Sequence, residues 1–105
     1  MNENPSNFEK EKPNNQEVQS YLEAFKEWQL LFSKLNDFFK GRKILEILDN
    51  IHFYKIADER LKEKANKINA PLPDEFLLDA AVKYLKIIAL EIKEKNKENE
   101  SNEDN

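Results

Sequence analysis

The chain has 105 residues, 17 Lys and Arg against 21 Asp and Glu for a formal net charge of −4, one Gly and no Cys. That length supports a single core of modest size, and the lack of Cys excludes disulfides, thiolate catalysis and every zinc site that uses Cys. An acidic chain is also a poor general nucleic-acid binder, since that binding draws on cationic side chains displacing phosphate counterions; only residues 40–67, at +3, are basic.

Residue choice sets the fold class. There is no Thr, and Val18 and Val82 are the only valines, whereas strands favour β-branched residues and tight hairpins need Gly or Asn at left-handed positions. The expectation is an all-α protein.

Residues 1–15 contain five Asn, two Pro and one aromatic, too little apolar surface to offset the entropy of ordering. They are expected to form a disordered tail. The opening residues have neither a basic region nor an apolar run, so no secretory signal is expected, and the protein is read as soluble and cytoplasmic.

A first helix is predicted over 16–40. Val18, Tyr21, Phe25, Trp28, Phe32, Leu35 and Phe39 follow one another at alternating spacings of 3 and 4, which lays them along one face. Eight aromatics from Tyr21 to Tyr54 are read as core rather than as an exposed groove. Gly41 follows where a left-handed helix cap is wanted.

A second helix is predicted over 42–67, from Ile44, Ile47, Ile51, Tyr54, Leu61, Ala65 and Ile68. Asp49 and Asn50 could cap a new start and break it in two. Asp58 falls within the apolar stripe. Two readings are open: a buried polar residue that sets register, or, as preferred, a helix rotated so that Ala57 and Leu61 face inward instead.

Ala70-Pro71-Leu72-Pro73 is a stop, because residues before Pro are driven out of the α region. A third helix is predicted over 73–95, with Pro73 in its first position and Asp74 and Glu75 at its positive end. Its polar positions form a narrow line through Glu75, Asp79, Lys83 and Lys86. That leaves more apolar circumference than two neighbours readily cover, and a partner interface is expected at Leu78, Val82, Leu85 and Ala89. Residues 96–105 are wholly polar and are expected to form a second, acidic, disordered tail. The architecture is therefore a small antiparallel three-helix bundle, or four helices if the second one breaks.

No catalytic, cofactor or metal constellation is visible. His52 is the single histidine, with Ile56 four residues on, and is read as structural or exposed, and Ser6, Ser20, Ser33 and Ser101 have no activating base. One Gly cannot form a phosphate-binding loop. The function expected is a non-enzymatic helical protein-interaction module, either a homo-oligomer or a small accessory subunit. The second reading is a DNA-binding transcriptional regulator using Lys55, Arg60, Lys62, Lys64 and Lys67. A helix-turn-helix match is poor: two prolines occupy the turn, and the next helix opens on Phe76-Leu77-Leu78 where base-reading polar residues should stand.

Overall fold

A computed structural model describes residues 14–104, with side chains as far as residue 97. Within them the protein is all-helical: α1 is Asn15–Lys40, α2 Ile44–Asp49, α3 Ile51–Ile68 and α4 Leu77–Asp104. The tail expected over 1–15 lies outside the described residues apart from Asn14 and Asn15.

The seam of α1 starts from a capping box. The Asn14 side chain accepts from the Glu17 amide at 2.7 Å and the Glu17 carboxylate accepts from the Asn14 amide, so two of the unpaired donors at a helix start are satisfied reciprocally. Along the seam the rings stack in sequence: Tyr21 on Phe25 at 5.9 Å, Phe25 on Trp28 at 6.1 Å, and Trp28 against Phe32 at 5.2 Å. Trp28 and Tyr54 are buried, and Tyr21, Phe25, Phe32, Phe38 and Phe39 pack half-buried against the core. Of the eight aromatics only Phe53 is exposed.

The end of α1 differs from expectation. Gly41 has φ −84, and the left-handed residue is Arg42, at φ 56. The amide of Lys43 donates to the Phe38 carbonyl and that of Arg42 to Phe39, the paired bonds of a Schellman cap with Arg where Gly is usual. Arg42 is held there by its side chain: its guanidinium makes two bonds to the Glu91 carboxylate of α4, at 2.7 and 3.1 Å, and a third to the Phe39 carbonyl. Asn69 ends α3 in the same way, left-handed at φ 54, with Ala70 donating to Ala65.

The second predicted helix does break at Asn50, which separates α2 from α3. Asn50 acts as a C-cap, with its side-chain amide donating to the Glu46 carbonyl at 2.7 Å. It makes no side-chain cap bond to the helix that follows.

Contacts fix the topology. Glu27 meets Arg60 and Trp28 meets Asp58, so α1 and α3 run antiparallel. Tyr21 reaches the Pro71 carbonyl, Asn36 accepts from the Tyr84 hydroxyl at 2.7 Å and Arg42 meets Glu91, so α4 rises alongside α1. The bundle is up-down-up, with Leu35, Ile47, Tyr54, Leu61, Leu77 and Ile88 as its largest fully buried side chains.

α4 begins at Leu77 rather than at Pro73, because what caps it is another helix. It then continues to Asp104, beyond the expected end at Lys95. From residue 98 its side chains, and with them part of the tail expected over 96–105, lie outside the described residues.

Candidate interaction surface

Asp58 joins the three long helices. It is 5% exposed, and its Oδ1 accepts from the Trp28 indole of α1 and from the Leu77 amide, both at 2.9 Å, while Oδ2 accepts from the Leu78 amide at 2.9 Å. The rotation of α3 expected to turn Asp58 outward does not occur: Ala57, Asp58 and Leu61 are all buried. A carboxylate inside a protein costs several kcal/mol unless its lone pairs are filled. Here three donors fill them, two from the positive end of α4, where negative charge is favoured. Asp58 is thus the N-cap of α4, supplied across the bundle. Sequence alone does not reveal this, because the capping residue stands 19 residues before the amide it caps.

Capping from α3 fixes how α4 is seated. Leu77, Ala80, Ala81 and Ile88 are fully buried, with Tyr84 and Leu85 packed against the core. Of the four positions expected to meet a partner, Leu78 is half-buried with its amide bound to Asp58, Leu85 leans on the core, and only Val82, at 41%, and Ala89 are exposed. The bundle itself takes up half of that strip.

The basic residues of α3 fall on two flanks. Arg60, Lys64 and Lys67 lie at spacings of 4 and 3 on the side toward α1, where Arg60 pairs with Glu27 and Lys64 and Lys67 border Gln16, Glu17 and Ser20. Lys55 and Lys62, seven apart, lie on the side toward α4, with the Lys62 ammonium 4.6 Å above the Phe76 ring. Glu59 and Glu63 stand between the flanks, both exposed, so the five cations form no continuous stripe.

A run of exposed apolar residues lies where the sequence pattern gave no separate signal, on the outer side of α2 and the first half of α3. Leu45 is 72% exposed, Leu48 49%, Phe53 50% and Ile56 46%. Ile44, Ile47, Ile51, Tyr54 and Ala57 face the core from the same stretch, so it is apolar on both sides. His52 lies in this outer strip, exposed, its ring stacked on that of Phe53 at 4.4 Å. The one available clue was that Leu45, Leu48, Phe53 and Ile56 widen the seam beyond what one core face needs.

Among the described residues, no three His, Asp or Glu side chains are placed to hold a metal ion, and no helix is long and apolar enough to cross a membrane. Comparison with family models, with curated proteins and with solved structures finds no match.

Proposed function

We propose that the protein is a non-enzymatic helical interaction module that engages a protein partner through the outer strip of α2 and α3. The observation that carries this reading is the exposure of Leu45, Leu48, Phe53 and Ile56 within one short stretch of chain. Single exposed apolar residues are ordinary on soluble proteins, but contiguous ones rimmed by charge mark interaction sites. Glu46, Asp49, Lys55, Glu59 and Arg60 supply that rim. Val82, Ala89, Leu90 and Ile92 on α4 form a second set of exposed apolar residues.

The test is photo-crosslinking in cells from a photoreactive side chain placed at Leu48. It captures a protein partner, whereas the same group at Leu30, also exposed but on α1, does not. Replacing Phe53 and Ile56 with Lys leaves the protein folded and abolishes capture. Equal capture from both positions, or none from either, removes the reading.

A further inference from the structure

The outer strip also has an internal order that bears on what covers it. Leu45, Leu48, His52, Ile56 and Glu59 succeed one another at spacings of 3, 4, 4 and 3, all of them exposed. The series is symmetric about His52. Four residues before it stands Leu48 and four after it Ile56; three before it stands Asp49 and three after it Lys55. Leu48 therefore mirrors Ile56, and the acid Asp49 mirrors the base Lys55.

A two-fold contact between two antiparallel helices uses such an arrangement, because a residue ahead of the axis meets the one about equally far behind it on the other copy. We propose that the strip pairs antiparallel with the strip of a second copy of this chain, the axis passing beside His52. Leu48 then lies on Ile56 of the other copy and Asp49 faces Lys55, twice each by symmetry. At the ends of the contact, the methylenes of Glu59 cover Leu45. A parallel pairing would set Asp49 against Asp49 and Lys55 against Lys55, and like charges placed together reject it.

Asn50 does not spoil the alignment. The Tyr54 amide still donates to the Asn50 carbonyl at 3.0 Å and the Asn50 amide to Ile47 at 3.2 Å, so the chain bends there without reversing its faces. The inward series Ile47, Tyr54, Ala57 and Leu61 stays buried on both sides of the break.

The strip is short. Four half-exposed side chains fall well below the roughly 800 Å² per partner of a standard stable interface, so the dimer is weak and reversible, and the monomer bundle folds without it. The inference rests on the strip being the interaction surface, and it names the occupant.

Because the chain has no Cys, His52→Cys introduces a unique thiol beside the proposed axis. Helices packed at about 8–10 Å bring such a pair into disulfide range. Under mild oxidation at about 100 μM, His52→Cys forms a covalent dimer at least tenfold faster than Leu30→Cys. Adding Asp49→Lys slows the reaction, and adding Lys55→Asp to that variant restores it, because the swapped charges again face each other only across the two-fold. On the unaltered chain, sedimentation equilibrium shows mass rising with concentration. Equal cross-linking rates at positions 52 and 30, failure of the double swap to restore, or a constant monomer mass up to about 500 μM each overturns the proposal. If these fail while the Leu48 photo-crosslinker still captures a different protein, the interaction module stands and self-pairing is wrong. If both fail, the strip is not an interface.

Discussion

Asp58 is a charged residue inside the bundle, and Leu48 and Ile56, within ten residues of it, are apolar residues outside. Both depart from the usual partition of residues between core and surface. The difference lies in what satisfies them. Asp58 finds three donors within its own chain, so folding accounts for it. The outer strip finds no cover within the described residues, and the fold gives no reason for Leu over Lys there. A polar residue that looks misplaced is thus structural in one case, while apolar residues that look merely surplus are what the proposed association rests on in the other.

The comparison breaks most readily at Asp58. Asp58→Ala leaves the Trp28 indole and the Leu77 and Leu78 amides without an acceptor in a dry site, and should cost about 3–5 kcal/mol of a total stability of about 5–15. Asp58→Asn, which keeps one acceptor oxygen, should cost less. Chemical denaturation measures both, and a loss below about 1 kcal/mol for Asp58→Ala would mean that water caps α4 equally well.

Trp28→Phe separates the indole's hydrogen bond from its bulk. It keeps an aromatic ring in the stack but removes the donor to Asp58, at a cost of about 1–3 kcal/mol, whereas Trp28→Ala removes both for about 3–5. Equal losses from the two variants would show that packing contributes nothing at this position.

Tyr54 offers an opposite sign. Its hydroxyl is buried with no partner among the described residues, so Tyr54→Phe should raise stability by about 1 kcal/mol. Burial also pushes the phenol above its ordinary pKa of 10.0. The folded state therefore holds this proton more tightly than the unfolded chain, and the resulting stability is complete below pH 10 and lost as pH rises further. In Tyr54→Phe that part of the alkaline loss disappears. An unchanged alkaline profile would place the hydroxyl in contact with water.

Smaller effects sharpen the surface side. Gly41→Ala should stabilise by about 0.4–1 kcal/mol, because Gly41 is not left-handed and an added Cβ meets only ordinary contacts at 3.4 Å and beyond. Destabilisation there would restore Gly41 as an obligatory glycine cap. Leu48→Lys with Ile56→Lys should change the stability of the monomer, measured at low concentration, by less than about 0.5 kcal/mol. A loss near that of Asp58→Ala would mean the strip belongs to the core.

How far the molecule was legible follows from the range of each interaction. The α1 seam and its end at Lys40 were visible because neighbours three and four apart make a helix face. A break at Asn50 was the alternative to a continuous second helix, and then with an N-cap; the side chain instead bonds backward to Glu46, which residue type alone does not decide. Arg42 in place of Gly41 as the left-handed residue was illegible, since what holds it is Glu91, 49 residues away. For the interaction surface, apolar excess could be counted on the third predicted helix but not assigned, because only packing decides which excess is absorbed.

By itself the sequence determined the helical class, the three apolar seams and the stop at Pro71 and Pro73, all of which depend on local backbone preferences and short-range periodicity. Only the tertiary structure decided that Asp58 faces inward, that α4 begins at Leu77, and that Leu78 and Leu85 are partly taken up by the bundle while Leu45, Leu48, Phe53 and Ile56 stay exposed on α2 and α3. Each of these turns on a group meeting another far along the chain. A buried carboxylate and two free helix amides each carry a large cost alone, and the arrangement that removes both costs together exists only once the helices have packed.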